Sequence, residues 1–189
     1  MKILGISGSL RKASYNSRLL QAASRALPGD AELTVFDGLR DLPHYDADLE
    51  QGPEHPAVSE LRRAIREADA LLFVTPEYNG TIPGVLKNAV DWASRPKGEA
   101  ALKNKTSAVI GASTGQFGGV WAQADLRKSL GLAGARAIDQ ELAVPKAADA
   151  FNEDGSLIDE GVVEGLSALL VRLVEEASPV TSGQLADAA

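Results

Sequence analysis

Residues 1–17 read MKILGISGSLRKASYNS, an apolar run followed by a Ser/Gly-rich loop and the start of a helix. The apolar positions Ile3, Leu4 and Ile6 predict a short buried strand. When such a strand runs into a glycine-containing loop and then a helix, the first N–H groups of the helix lie at the carboxyl edge of the sheet, where they can bind an anion. This stretch therefore predicts an α/β fold whose first loop binds phosphate.

Polar side chains in and just after this loop are donors of the kind that phosphate oxygens accept. Arg11 carries a guanidinium that can hold two oxygens, and Gly5 and Gly8 allow the backbone to approach a ligand closely. The same composition also suits an ordinary strand–turn–helix junction with a Ser or Asn cap, so the loop alone leaves both interpretations open. The hydroxyl and amide groups belong to Ser7, Ser9, Ser14, Asn16 and Ser17.

Composition indicates one domain without thiol chemistry. The 189 residues are 44% hydrophobic and 24% charged, which suits a single core. We predict one domain over residues 1–177 and a flexible tail over residues 178–189. The chain contains no cysteine, which excludes disulfides, thiol nucleophiles and cysteine-based metal or iron–sulfur sites. Redox chemistry would therefore need a cofactor.

Charge and hydropathy argue against two classes of partner. The formal net charge is −7 and the sequence pI is about 4.9, which disfavours general affinity for nucleic acid or anionic membranes. No stretch approaches the roughly 20 apolar residues of a membrane span, and the first residues do not resemble a signal peptide. We therefore expect a cytoplasmic protein without nucleic-acid or membrane partners.

Strand and helix patterns alternate along the rest of the chain, which predicts a parallel sheet with helices on both faces. The segment 38–52, which contains Asp and Pro, is predicted to be an irregular crossover loop. Further strands are predicted over 31–36, 69–75, 107–112 and 135–143. Helices are predicted over 16–26, 56–67, 83–93, 121–130 and 160–177.

Two more loops of unusual composition follow the third and fourth predicted strands. They read PEYNGTIPG (residues 76–84) and STGQFGG (residues 113–119). Pro and Gly often do no more than form turns. In an open parallel sheet, however, ligands bind outside the carboxyl ends of the strands. Three such loops at one edge therefore favour a binding site.

Flavin mononucleotide (FMN) has requirements that these loops match. Its phosphate needs N–H and O–H donors with one cation, its ribityl chain needs small polar neighbours, and its ring needs a flat slot lined by backbone. Peptide N–H groups over Glu77–Gly80 and Ser113–Gly115 can stabilise the negative charge of the reduced ring. Hydride transfer then needs no acid or base from the protein. Tyr78 is either a contact of the ring or its substrate face, or an ordinary half-buried loop tyrosine.

Three segments of the sequence resemble the family of NADPH-dependent FMN reductases and quinone reductases, which have a flavodoxin-like fold. The resemblance spans about residues 2–175, and one departure is Trp121, which stands where several relatives carry arginine. The segments are GSLRKASYN (8–16), TPEYN (75–79) with its continuation IPGVLKNAVDW (82–92), and GGVWAQADLR (118–127).

This resemblance implies a flavodoxin-like three-layer α/β sandwich with a five-stranded parallel sheet of order 2-1-3-4-5. It implies bound FMN, NADPH or NADH as electron donor, and quinones, free flavin, azo compounds or metal oxyanions as acceptors. It also implies a homodimer or homotetramer in which the partner subunit helps to wall the flavin site, without a metal or a catalytic side chain. The implied FMN contacts are Ser9, Leu10, Arg11, Ser14, Asn16 and Ser17 at the phosphate, and Pro76, Glu77, Tyr78, Asn79, Gly80, Ser113, Thr114 and Gly115 at the ring and ribityl chain.

Other interpretations fit parts of the sequence. A flavodoxin-type electron carrier would share the fold, but such carriers usually sandwich the ring between aromatic side chains, which make up only 5% of this chain. A nicotinamide-dinucleotide site with Asp37 on the ribose would need a three-glycine fingerprint that Gly5 and Gly8 do not form. The two histidines, His44 and His55, lie in a Pro-containing region and give little support to a hydrolytic triad or a metal site.

Overall fold

Two continuous apolar runs form the middle of the sheet. Ala70–Thr75 (β3) and Thr106–Ala112 (β4) are buried at every position, as expected of parallel strands that helices cover on both faces. Lys2–Ser7 (β1) lies beside β3, and Glu32–Phe36 (β2) forms the outer edge. This computed structural model describes residues 1–178, so residues 179–189 of the predicted tail lie outside the described part.

The strand order is β2-β1-β3-β4-β5 and every pair is parallel, which confirms the predicted fold class. The last predicted strand, 135–143, is divided into two short pieces. Arg136–Ala137 (β5) pairs with the start of β4, and Ala143–Val144 (β6) pairs with its end. Polar residues 139–141 lie between them, and Glu141 contacts Arg127 at 3.5 Å. Charged side chains of this kind also protect a sheet edge from further pairing.

Five of the six α-helices within residues 1–178 form the two outer layers. One face of the sheet is covered by α1 (Tyr15–Arg25) and α6 (Glu160–Ala177), and the other by α3 (Pro56–Glu67), α4 (Gly84–Ala93) and α5 (Val120–Leu132). Leu71 and Phe73 of β3 face the three-helix layer, whereas Leu72 and Val74 face the two-helix layer, because successive side chains of a strand point to opposite faces. None of the helices within residues 1–178 is long and apolar enough to cross a membrane. The sixth helix, α2 (Ala47–Gln51), lies in the crossover after β2 and has no buried residue.

Local capping signals determine where helices begin. The Oγ of Ser14 accepts the N–H groups of Asn16 (3.2 Å) and Ser17 (3.4 Å) at the start of α1. The carboxylate of Asp159 accepts the N–H of Val162 (2.9 Å) at the start of α6. Caps of this kind contribute about 1 kcal/mol each. The predicted helices 56–67 and 160–177 match α3 and α6, and the other three differ from α1, α4 and α5 by one or two residues at an end.

The crossover between β2 and α3 is more regular than predicted. The prediction of an irregular loop over 38–52 was wrong, because this segment forms a 3-10 helix (Gly38–Asp41) and α2. The carboxylate of Asp46 caps α2 by accepting the N–H of Asp48 (2.8 Å). Asp favours turns as well as helix caps, and the sequence alone does not show which of these two roles Asp46 has.

Candidate functional site

A cleft of about 470 Å³ lies at the carboxyl ends of β1, β3 and β4, where the three loops meet. This volume falls in the range of sites for small molecules and cofactors. Tyr15 and Ala112 line the cleft without having been predicted. The predicted contact residues Leu10, Ser17, Asn79, Gly80 and Gly115 do not line it. The complete lining is Ser9, Arg11, Ser14, Tyr15, Asn16, Pro76, Glu77, Tyr78, Ala112, Ser113 and Thr114.

The buried side chain of Asn16 joins the first loop to β4. Its Nδ2 donates to the carbonyl oxygen of Ala112 (2.9 Å), and its Oδ1 accepts the N–H of Ala112 (2.9 Å). These contacts use the amide oxygen and one of the two amide hydrogens. For the predicted phosphate contact, the side chain of Asn16 therefore has one N–H left to offer.

The first loop offers hydroxyl groups and one cation to the cleft. The Oγ of Ser14 already accepts two N–H groups of α1, so its own hydrogen is the part that remains for a ligand. The Oγ of Ser9 accepts the N–H of Arg11 at 3.4 Å. The guanidinium of Arg11 lies 4.9 Å from the ring centre of Tyr15, a cation–π contact that holds the charge at the cleft wall.

The glycines of the first strand and loop make room for helices. A Cβ atom at Gly5 would lie 2.7 Å from Leu20 Cδ1 of α1, and one at Gly8 would lie 2.8 Å from Leu86 Cδ2 of α4. Both distances are far below ordinary carbon contacts. In this structure the two glycines therefore permit α1 and α4 to pack closely against the first strand and loop.

The second loop contains a tight hairpin turn. The N–H of Tyr78 donates to the carbonyl of Thr81 (3.0 Å), and the N–H of Thr81 donates to the carbonyl of Tyr78 (3.2 Å). Asn79 (φ 53°) and Gly80 (φ 76°) are both left-handed, as a type I′ turn requires. The Oγ1 of Thr81 also donates to Asp125 of α5 (2.6 Å). The hairpin is thus fixed, and the N–H of Tyr78 is not free for a flavin ring.

Glu77 connects the second loop to the third. Its Oε2 accepts the N–H groups of Trp121 and Ala122, each at 3.1 Å, and so caps α5. Sequence reasoning missed this role because the cap lies 44 residues from the helix that it serves. A signal was present, since Gly119 stands at the N-cap of α5 and has no side chain to accept these groups.

The third loop is held mainly by backbone and by one buried amide. The N–H of Ser113 donates to the carbonyl of Val144 (3.1 Å), and the N–H of Gly115 donates to the Oγ of Ser113 (3.2 Å). The buried Gln123 accepts the N–H of Leu142 at its Oε1 (3.3 Å) and donates to the carbonyl of Gly118 (3.5 Å). Sequence reasoning did not identify Gln123 as a support of this loop.

Only some of the predicted ring donors remain available. Within residues 1–178, the N–H groups of Glu77, Asn79, Gly80 and Thr114 have no protein acceptor. Glu77 and Thr114 line the cleft, so their N–H groups are the ones that a bound molecule can reach. The cleft therefore has hydroxyls and a guanidinium at the first loop and free peptide donors at the other two. This arrangement suits a ligand with a phosphate at one end and an electron-accepting ring at the other.

The residues of the alternative interpretations lie elsewhere. Asp37 follows β2 and does not line the cleft. The Nδ1 of His55 accepts the N–H of Ala57 (3.3 Å) and caps α3, and His44 is an exposed residue of the crossover. The geometry brings neither histidine to the cleft.

The chain matches the model of a protein family described as NADPH-dependent FMN reductase over residues 1–149. It is 44% identical over 161 residues to an NAD(P)H-dependent FMN reductase of Pseudomonas aeruginosa, covering 85% of this chain and 86% of the relative. It is 39% identical over 156 residues to a quinone reductase of Pseudomonas putida, covering 82% and 83%. Among solved structures, it resembles the flavoenzyme NAD(P)H:(acceptor) oxidoreductase FerB from Paracoccus denitrificans, with a TM-score of 0.82, 37% identity and coverage of 93% and 96%.

Proposed function

This chain belongs to the family of NADPH-dependent FMN reductases and is an FMN-dependent NAD(P)H oxidoreductase, and from that premise we propose how its cleft binds the cofactor. The phosphate of FMN lies at the first loop, and its ring lies between the second and third loops. The observation that carries this assignment is the meeting of the three loops in one cleft, with the cation at one end and free peptide donors at the other.

The donor set at the first loop fits a phosphate. Arg11 supplies positive charge, and the hydroxyls of Ser9 and Ser14 line the same wall. Charge-assisted hydrogen bonds of this kind are about twice as strong as neutral ones. They also supply a local attraction that the net charge of −7 does not. We assign Leu10, Asn16 and Ser17 to this end because they belong to the same loop and helix start.

The other two loops would hold the ring. When bound, FMN accepts a hydride from NAD(P)H and returns two electrons to an acceptor, so that NAD(P)H, a proton and a quinone give NAD(P)⁺ and a hydroquinone. The N–H groups of Glu77 and Thr114 are placed to stabilise negative charge on the ring. We assign Pro76, Tyr78, Asn79, Gly80, Ser113 and Gly115 to its surroundings.

The proton of the overall reaction comes from solvent in this proposal. Glu77 is the one carboxylate among the described residues that line the cleft, and its carboxylate caps α5. A group held by two peptide N–H groups is poorly placed to move a proton. The protein then contributes mainly by orienting the reactants, as in other reactions where position supplies the rate.

We assign quinones and free flavin as candidate acceptors on the support of relatives named quinone reductase and FMN reductase, and azo compounds and metal oxyanions because the resemblance of the sequence implies them. We further propose a cytoplasmic homodimer or homotetramer, as the resemblance of the sequence implies. Light scattering of the FMN-loaded protein tests the assembly, and a monomeric mass would overturn that part.

The cofactor assignment is tested by absorbance. The protein is mixed with FMN, desalted and titrated with NADPH under anaerobic conditions, with NADH in parallel. We expect retained yellow colour that bleaches directly to the two-electron form and returns when a quinone is added. Retained colour that does not respond to either nucleotide would instead indicate an electron carrier. Protein without added flavin, treated in the same way, is the control for contaminating reductases.

A further inference from the structure

Three exposed aromatic side chains belong to the second loop, the third loop and the first turn of α5, and one of them, Tyr78, lines the cleft. The exposed fractions are 52% for Tyr78, 51% for Phe117 and 51% for Trp121. The other aromatic residues of the chain are buried or partly buried. Exposed apolar surface that is concentrated in one place usually marks a binding surface. We call Tyr78, Phe117 and Trp121 the aromatic rim.

The aromatic rim is attached to the cleft by the contacts already described. The N–H of Trp121 donates to Glu77, which lines the cleft. The hairpin that carries Tyr78 is tied to α5 through the hydrogen bond from Thr81 to Asp125, one helical turn after Trp121. The rim is therefore held in place beside the site, rather than lying on an independent surface.

Phe117 and Trp121 also fix each other. Their ring centres lie 5.0 Å apart with an angle of 68° between the ring planes, an edge-to-face arrangement that is favourable for aromatic pairs. Each ring is still half exposed. The two rings therefore form a fixed, half-exposed aromatic pair beside the third loop.

We propose that Phe117 and Trp121 select the electron acceptor by stacking on planar, uncharged aromatic molecules such as quinones. This inference rests on the proposed function. If FMN fills the cleft of about 470 Å³, the second reactant must approach past the loops that form it, and the aromatic rim belongs to two of these loops and to the helix that Glu77 caps. Planar acceptors then gain contact with an indole face, and acceptors without an aromatic ring do not.

Steady-state kinetics on the FMN-loaded enzyme test this selection. We expect Trp121→Ala to lower kcat/KM for 1,4-naphthoquinone about tenfold, which corresponds to about 1.4 kcal/mol. Phe117→Ala should act in the same direction. The value of kcat/KM for ferricyanide and that for NADPH should stay within about twofold, as should the FMN dissociation constant. Trp121→Phe retains a flat ring and should keep most of the quinone activity. Leu132→Ala, which removes an exposed apolar side chain at the other end of α5, is the matched control.

An equilibrium readout comes from tryptophan fluorescence. The chain has two tryptophans, of which Trp92 is buried and Trp121 is exposed. Titration of the oxidised, FMN-loaded enzyme with 1,4-naphthoquinone, without electron donor, should quench the emission of Trp121 in a saturable way. Trp121→Phe should remove this saturable component while it preserves turnover. If the quenching in the wild-type protein is linear and collisional, with no saturable component, this result contradicts the proposal.

Several outcomes would overturn the proposal. If wild-type enzyme binds FMN and oxidises NADPH but Trp121→Ala leaves the quinone kcat/KM unchanged, the selection by the rim fails and the proposed function stands. An equal loss with quinone and ferricyanide, or a loss confined to NADPH, also contradicts it. A lower mass of Trp121→Ala by light scattering would assign the rim to self-association instead. If the wild-type protein neither holds FMN nor oxidises NADPH with any acceptor, the proposed function itself fails.

Discussion

Two regions of this molecule are built from similar residue types but use their peptide groups differently. The loops at the carboxyl edge and residues 43–55 of the crossover both contain Pro, Tyr and acidic residues. The loops also contain Asn, and the crossover contains His. In the crossover, the carbonyl of Pro43 accepts from Asn88 (2.9 Å) and Trp92 (2.8 Å), and the N–H of Tyr45 donates to Asn88 (2.8 Å). At the carboxyl edge, the N–H groups of Glu77 and Thr114 have no acceptor within residues 1–178.

The charged groups of the crossover are likewise used internally. The buried Arg62 donates from Nη1 to Glu54 (2.7 Å) and from Nε to the carbonyl of Trp92 (3.2 Å). The hydrogen bond from Arg62 lowers the pKa of Glu54 below its ordinary value. The hydroxyl of Tyr45 donates to Glu50 (2.8 Å), which raises the pKa of Tyr45. The comparison shows that residue types do not distinguish the two regions, whereas peptide donors that line a cleft without a protein acceptor do.

The largest effect is expected where the carboxyl edge is anchored. Asn16→Ala leaves the N–H and carbonyl of Ala112 without their partners in a buried place, so we expect a loss of about 3 kcal/mol in unfolding free energy. FMN binding should weaken at least about tenfold, because the first loop loses its attachment to β4. Urea unfolding and FMN fluorescence titration measure the two effects.

The crossover supplies the control for that experiment. Asn88→Ala removes the analogous attachment of Pro43 and Tyr45 to α4, so we expect a loss of about 2 kcal/mol in stability with FMN affinity unchanged. If Asn88→Ala weakens FMN binding as much as Asn16→Ala does, the distinction between the two regions is wrong.

Removal of the Arg11 guanidinium from the cleft should weaken FMN binding without changing the free energy of unfolding. Arg11→Ala is expected to weaken FMN binding by about 2 kcal/mol, the range of a charge-assisted contact. Unfolding free energy should change by less than about 0.5 kcal/mol, as for other exposed side chains. Affinity for riboflavin, which has no phosphate, should not change.

Arg18→Ala, an exposed substitution on α1 outside the cleft lining, is the matched control for Arg11. Calorimetric titration with FMN and with riboflavin distinguishes the two arginines. If Arg11→Ala weakens the binding of FMN and of riboflavin equally, Arg11 does not contact the phosphate.

Loss of the cap of α5 should have smaller effects on stability and on FMN binding. Glu77→Ala removes the acceptor of two peptide N–H groups, which is expected to cost about 1 kcal/mol of stability. FMN binding should weaken about threefold, because the second and third loops are no longer connected. Glu77→Gln keeps an acceptor oxygen and should recover most of both losses in the same unfolding and titration experiments. Recovery of neither would mean that the charge of Glu77, rather than its role as an acceptor, matters.

The smallest expected effect is on the pH dependence of stability, and it arises in the crossover. Because the folded pKa of Glu54 lies below its ordinary value of 4.5, the unfolded chain takes up the proton first as the pH falls. The stabilisation is present above that value and is lost as the pH falls through the folded pKa. The side chain of Glu54 is 45% exposed, so solvent screening keeps the contribution well below about 1 kcal/mol.

Unfolding free energy measured between about pH 5 and pH 3 tests this contribution. Glu54→Gln should give a shallower decline of stability with falling pH than the wild-type protein, and FMN affinity at neutral pH should be the same for both. Identical slopes would show that the pair of Glu54 and Arg62 does not contribute to acid stability.

Much of the architecture could be predicted because its signals are local. The apolar runs of β3 and β4 predicted buried central strands, and Ser14 and Asp159 are caps whose acceptor atoms serve N–H groups two or three residues away. The alternation of strands and helices then placed three polar loops at one edge. Errors arose where a local signal was ambiguous, as with Asp46, or where polar residues 139–141 interrupted a predicted strand.

By itself, the sequence determined the fold class, the strand order implied by resemblance, and the edge of the sheet where the three polar loops meet. Only the tertiary structure decided how that edge is built. The pairing of Asn16 with Ala112 joins residues 96 positions apart, and the cap from Glu77 to α5 joins residues 44 positions apart. Such partners depend on strand register and helix packing, which no short stretch of sequence encodes. They also determine which peptide donors remain unpaired, and it is those donors that a cofactor can bind.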